Sequence, residues 1–226
     1  MPTIAITGID TGVGKTLITG LFARHLRAAG HSVITQKLVQ TGCAGMSEDI
    51  LLHRRIMGID LTDADRQGIT CPYVFALPAS PHLAASAEGR VIDLDCVTLA
   101  TRQLEEQYEF VLLEGAGGLY VPLTGAATFL DYLAARRLPL IIVSSAKLGS
   151  INHTLLTLDV AHARHLSVLA IAYNLYPPEH PRIVEDSQRI FRQHLRRFGY
   201  PERVVSVPAI SADAPLPSPD FSDIFC

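Results

Sequence analysis

The sequence predicts an α/β fold in which a parallel β-sheet is covered by helices on both faces, a Rossmann-like arrangement of three layers. Three observations predict it. Short runs rich in β-branched residues alternate with longer segments of helical period, as expected when parallel strands are joined by crossover helices. The runs are apolar at consecutive positions, which suits strands buried on both sides. A glycine-rich turn, "GIDTGVGKT" at residues 8–16, lies between the first run and the first helical segment.

Taken in order, strands are expected at "TIAIT" (3–7), "HSVITQ" (31–36), "EFVLLE" (109–114), "LPLIIVSS" (138–145), "SVLAIAYN" (167–174) and "RVVSV" (203–207). Apolar residues recur at three- and four-residue spacing in 15–29, 49–58, 95–107, 128–137, 151–165 and 182–198, which are expected to be helices. Ligands of an open parallel sheet collect at the carboxyl ends of its strands, so the loops after 7, 36, 114, 144 and 174 should hold the chemistry. The segment 211–226 contains three prolines and no clear period, and reads as an irregular surface tail.

The chain's 226 residues show no composition shift or spacer, so one domain is expected. A net charge of −3 leaves no excess positive charge to hold a nucleic acid. The start runs straight into "TIAITG" without a basic and apolar leader, and no apolar run reaches the roughly 18 residues of a membrane span, so the cytoplasm is the expected address. Cys43, Cys71, Cys96 and Cys226 stand far apart, which favours free thiols over a zinc site or a disulfide framework.

The common phosphate-loop pattern has four residues between its first glycine and the Gly-Lys-Thr, whereas five separate Gly8 from Gly14 here. The context of strand, glycine-rich turn and helix is nevertheless that of a P-loop NTPase. Gly8, Gly12 and Gly14 let backbone N–H groups face a phosphate, Lys15 brings positive charge to the outer phosphates, and the Thr16 hydroxyl suits Mg²⁺.

A phosphate loop needs a carboxylate for its metal, and Glu114 ends the apolar run "FVLL" just before a stretch containing Gly115, Gly117 and Gly118. Lys37 ends the second strand; by composition alone it could be a solvated lysine, but a second cation beside Lys15 makes sense if something strongly negative binds there. Asp49 reads by spacing as a helix-terminus carboxylate. Gly149 and Ser150 precede a long helix whose free N–H groups could bind a carboxylate, although Ser150 is equally well read as an ordinary N-cap. Asn174 suits a purine edge or a turn.

These residues together resemble the dethiobiotin synthetase family, whose phosphate loop has the same lengthened form, G-x-D-T-x-V-G-K-T. The likeness extends through "KLVQTG" at 37–42, "SPHLAA" at 80–85, "EGAGG" at 114–118, "KLGSINHTLLT" at 147–157 and Asn174, covering the chain from Thr3 to about Ile210. The resemblance implies ATP- and Mg²⁺-dependent conversion of 7,8-diaminononanoate and CO₂ to dethiobiotin in biotin synthesis. It gives Lys15 and Lys37 to catalysis, and Thr16, Asp49 and Glu114 to the metal. Residues 11–17 (Thr11, Gly12, Val13, Gly14, Lys15, Thr16, Leu17) with Gly115, Ala116 and Gly117 fall to ATP. Asn174, Pro208, Ala209 and Ile210 fall to its adenine.

The resemblance further implies a homodimer with the substrate across the interface. Thr41 would hydrogen-bond the substrate's reacting end, and Gly118 would also contact substrate. Gly149, Ser150, Ile151 and Asn152 would hold the remote carboxylate of substrate bound with the partner chain. Two positions depart from the family pattern. Gly12 stands where some relatives carry an acid, which bears on nucleotide preference, and Leu38 replaces a proline common after the lysine, which bears on the backbone path there.

Two other readings share this fold. A switch ATPase of the partition or septum-site type usually carries a lysine where Asp10 stands, and works on a membrane or DNA surface for which the chain shows no basic stripe or tail. An amide-forming synthetase of the cobyrinate type normally carries a glutaminase module, for which this chain has no room.

Overall fold

The computed structural model describes residues 3–209 and 216–224. A six-stranded sheet is built from β1 (Thr3–Gly8), β2 (Val33–Lys37), β5 (Phe110–Glu114), β6 (Leu140–Ser145), β7 (Val168–Asn174) and β8 (Val204–Val207), in the order β2-β5-β1-β6-β7-β8. Every neighbouring pair is parallel. The consecutive apolar positions of β1 explain why: Ile4 and Ile6 enter one core while Ala5 enters the other, so both sheet faces are dry. Against the first face lie α1 (Lys15–Ala28) and α2 (Glu48–Met57), through residues such as Ile18, Phe22, Ile56 and Met57. The opposite core takes in α5 (Leu94–Glu105), α6 (Phe129–Arg136), α7 (Ser150–Ala163) and α8 (Pro181–Arg197) through Val97, Phe129, Leu158 and Phe191.

The region between β2 and α5 holds more structure than its sequence announces. A two-stranded parallel ribbon of β3 (Gln40–Thr41) and β4 (Val74–Phe75) forms there, with the short helices α3 (Asp63–Arg66) and α4 (Pro81–Ala87). No helix among the described residues is long and apolar enough to cross a membrane.

Helix starts differ in how their first N–H groups are treated. Ser47 caps α2 by accepting from the Ile50 N–H, and Thr128 and Asp131 form a reciprocal capping box on α6. By contrast, α1 and α7 each begin at a glycine in the left-handed region, Gly14 (φ 95°) and Gly149 (φ 92°), with no side-chain cap. The first N–H groups of α1 therefore remain available to an anion, whereas in α7 the Ser150 N–H already donates to the Lys147 carbonyl at 3.0 Å. Gly149, not Ser150, is the N-cap of α7; the Ser150 hydroxyl instead pairs with that of Ser145 at 2.9 Å.

The tail is irregular over 216–224 apart from one 3₁₀ turn at Ser222–Ile224, but it is not a surface segment throughout. Phe221 and Ile224 are buried in the core under α1, and Phe221 packs on Phe22 with ring centroids 4.9 Å apart. Replacing Phe221 with Ala should cost about 3 kcal/mol in urea unfolding, as for other buried aromatics. A loss within about 0.5 kcal/mol would mean that the tail is not part of the core.

Candidate active site

The sheet register brings the chemistry together. Lys37, last in β2, and Glu114, last in β5, are direct cross-strand partners, so both side chains emerge at the same carboxyl edge. Lys37 Nζ donates to Glu114 Oε1 at 2.7 Å and to the Gly115 carbonyl at 3.1 Å, and lies 2.6 Å from Asp49 Oδ2. Thr16, second residue of α1, places Oγ1 3.0 Å from Asp49 Oδ1 and 3.1 Å from Glu114 Oε1, its one proton shared between them. His53 Nε2 sits 2.9 Å from Glu114 Oε2. Glu114 is 0 % exposed and Lys37 5 %, so the pair is stabilised by mutual charge where neither could stay ionised alone.

Two glycines are required by this geometry. Gly14 holds φ at 95°, and a Cβ there would come within 2.5 Å of Asn174 Nδ2. At Gly115 a Cβ would meet the Phe129 ring at 2.2 Å. The departures from the family pattern also find their places. Leu38 is fully buried, and its N–H donates to the Glu114 carbonyl at 2.9 Å, a bond that proline could not make. Gly12 is exposed with open space around it.

A cavity of about 800 Å³ opens beside the cluster. Thr11, Gly12, Gly14, Lys15, Thr16 and Leu17 line one wall; Lys37, Thr41, Asp49, Glu114, Ala116 and Gly117 contribute to the rest. Val13 and Gly115 do not line it: the Val13 carbonyl accepts from Asn174 Nδ2 at 2.9 Å, and the Gly115 carbonyl faces Lys37. Gly118 lines an adjoining cavity of about 550 Å³ with Tyr120, Leu156 and Val160. Gly149, Ser150, Ile151 and Asn152 line neither cavity, sitting at the start of α7. Pro208 and Ala209 are exposed after β8, and Ile210 lies outside the described residues.

The two lysines differ electrostatically. Burial, and then the neighbouring charge of Lys37, lowers Lys15 from 10.5 to about 8. Burial would lower Lys37 as well, but the carboxylates of Glu114 and Asp49 outweigh it and hold the ammonium above its usual range. For Glu114, burial favours the neutral acid; Lys37 and the His53 hydrogen bond reverse this and hold it well below the usual carboxylate range. Thr16, Asp49 and Glu114 thus present a hydroxyl and two carboxylates as hard oxygen donors on one side of a phosphate loop. That donor set fits Mg²⁺, which habitually takes one or two carboxylates and completes its shell with water and substrate phosphates.

Sequence comparison places this architecture among known proteins. The family described as "AAA domain" matches residues 2–212. The ATP-dependent dethiobiotin synthetase BioD 2 of Pasteurella multocida is 53% identical over 193 residues, covering 85% of this chain and 91% of that protein. The chain belongs to the dethiobiotin synthetase family. The dethiobiotin synthetase BioD of Chlorobaculum tepidum is 50% identical, with 89% of this chain and 84% of that one covered. Among solved structures, a ParA family ATPase from Chlorobium tepidum shares the fold with a TM-score of 0.55 at 14% identity, over 93% of this chain and 85% of that one. The MinC:MinD complex of Aquifex aeolicus matches with a TM-score of 0.54 at 15% identity, over 92% and 81%. At such identities these two likenesses speak for the P-loop ATPase fold alone.

Sequence reasoning did not single out two residues that the structure brings to this cluster. Gln40 Oε1 accepts from the Ser47 hydroxyl at 2.7 Å and fixes the start of α2. His53 was detectable as the residue four after Asp49, on the same helix face.

Because a phosphate chain is held best by a protonated Lys15, nucleotide affinity should be level below pH 8 and weaken as pH rises through it, by up to about tenfold per unit. Binding at pH 9 should take up protons, visible as a buffer-dependent enthalpy in calorimetry. Constant affinity from pH 7 to 9.5 without proton uptake would contradict this assignment.

Proposed function

We propose that this chain catalyses the ATP-dependent conversion of 7,8-diaminononanoate and CO₂ to dethiobiotin, releasing ADP and phosphate, as part of biotin synthesis. The observation that carries the reading is the convergence of Lys15, Lys37, Thr16, Asp49 and Glu114 on one cavity at the carboxyl edge of the sheet. A carbamate formed when one substrate amine captures CO₂ is a weak nucleophile. Its oxygen must approach a γ-phosphate of like charge, so positioning and neutralisation dominate the chemistry.

Lys15 sits at the start of α1, where its ammonium and the uncapped helix N–H groups bind the phosphate chain. Lys37, kept protonated by two carboxylates, offers a permanent positive charge to the meeting point of γ-phosphate and carbamate. Thr16, Asp49 and Glu114 would hold Mg²⁺, which when bound supplies further neutralisation of the phosphate oxygens. Attack of the carbamate oxygen on the γ-phosphorus breaks the bond to ADP and gives a carbamic–phosphoric anhydride. The second amine then attacks the carbonyl, closes the five-membered ring and expels phosphate.

Thr41 in the main cavity and Gly118 beside it are assigned to the diamine end. The start of α7, from Gly149 to Asn152, is assigned to the carboxylate of substrate bound with the second chain of a homodimer. Exposed apolar side chains around the second cavity support that interface, with Tyr120 66 % and Leu156 58 % exposed. Adenine is assigned to Asn174, Pro208, Ala209 and Ile210. Asn174 spends one amide proton on Val13 and accepts from the Tyr176 N–H at 3.2 Å, retaining one donor and one lone pair for a base edge. We place this activity in one catalytic domain in the cytoplasm, with no nucleic-acid or membrane partner.

With labelled bicarbonate, ATP and the diamine, label should enter a cyclic urea with one phosphate released per ring. Lys37→Ala should lower diamine-dependent phosphate release by about a hundredfold, the scale for losing one transition-state charge stabiliser. Phosphate release indifferent to diamine, or amidation driven by glutamine, would contradict the reading.

A further inference from the structure

His53 plays no part in the chemistry above, yet it is completely buried against the metal-binding carboxylate. We propose that His53 is a positioning residue which, by donating from Nε2 to Glu114 Oε2, fixes the rotation of that carboxylate and leaves Oε1 as the oxygen offered to the cation. The proposal rests on the assignment of Glu114 to Mg²⁺ under the proposed function.

The two oxygens of Glu114 have separate occupations. Oε1 faces Lys37 Nζ at 2.7 Å and Thr16 Oγ1 at 3.1 Å, on the cavity side. Oε2 meets His53 at 2.9 Å. A carboxylate's last torsion is broad, so without a partner for Oε2 the plane of the group could turn away from the angle that aims Oε1 at Lys37 and Thr16. An orphaned Oε2 would also be a buried acceptor with no bond.

A histidine serving only to fill the core would be expected to satisfy both ring nitrogens. Here Nδ1 is buried with no hydrogen-bond partner among the described residues, and the single bond the ring makes goes to Glu114. Because Glu114 is an acceptor, Nε2 is the donor in that bond. The location of His53 adds to this. It follows Asp49 by four positions on α2, so one rigid helix carries one proposed metal ligand and clamps the other.

The test is Mn²⁺ binding to the full chain in the presence of a non-hydrolysable ATP analogue, read by electron paramagnetic resonance. Substitutions that remove an outer partner of a metal ligand typically weaken metal binding by about 10- to 100-fold. His53→Leu should therefore lose at least about tenfold in Mn²⁺ affinity. His53→Gln, whose amide nitrogen takes the place of Nε2, should return to within about threefold of the native chain, whereas His53→Asn, whose nitrogen falls at the Nδ1 position, should not. If the leucine variant fails to fold, the Gln and Asn variants decide the matter on their own. Equal Mn²⁺ affinity in those two, or a folded leucine variant that binds like the native chain, overturns the role of His53 alone. Native-like binding by Glu114→Ala, or no nucleotide-dependent Mn²⁺ binding by the native chain, overturns the metal assignment and this proposal with it.

Discussion

The ion pair between Lys37 and Glu114 is the constraint around which the rest of the site is arranged. Parallel pairing of β2 with β5 makes these residues cross-strand partners at the end of the ladder, and burial leaves each dependent on the other. An unpaired charge at that depth is strongly unfavourable; breaking such a pair by removing one partner typically costs about 3–5 kcal/mol. The pair in turn fixes the groups around it. Asp49 and His53 bring α2 against it, Thr16 ties it to the phosphate loop, and the Gly115 carbonyl turns toward the ammonium.

This arrangement gives the two lysines different duties. Lys37 is matched by two carboxylates and stays charged under any physiological condition. Lys15 is buried near Lys37, and its nearest acceptor is the Asp10 carbonyl at 3.1 Å, so its charge is the less supported of the two. An anion arriving beside Lys15 relieves that repulsion, which couples phosphate binding to the electrostatics of the same cluster. The glycines of the loop contribute by what they lack: at Gly14 a side chain would push Asn174 away, and Asn174 holds the Val13 carbonyl in place.

Much of the fold was legible because burial on both faces leaves a strong mark on sequence. Strands such as "FVLLE" and "LIIVSS" are buried along nearly their whole length, and α5 beside the first carries a clear period, although the face that α7 buries includes Ser150 and Thr154 as well as Leu158. The ribbon of β3 and β4 was not legible, since two-residue strands have no period at all. The burial of Phe221 and Ile224 is a tertiary contact with α1, nearly two hundred residues away in sequence, that nothing local in a proline-rich tail encodes. Within the site, residues at strand ends and in the phosphate loop were readable from their context, whereas Asp49 by spacing resembled an ordinary helix-start acid. The family resemblance assigned it to the metal, and the structure sets it beside Lys37 and Thr16. His53 carried no local signal, because its partner Glu114 stands on another element 61 residues away.

A double-substitution cycle on the buried pair tests the central claim most directly, by measuring urea unfolding of the native chain, Lys37→Met, Glu114→Gln and the double variant in metal-free buffer. The account predicts that each single change is costly while the double is far less costly than their sum, with a coupling of at least about 2 kcal/mol. Costs that add to within about 0.5 kcal/mol would show two independent residues and would contradict it.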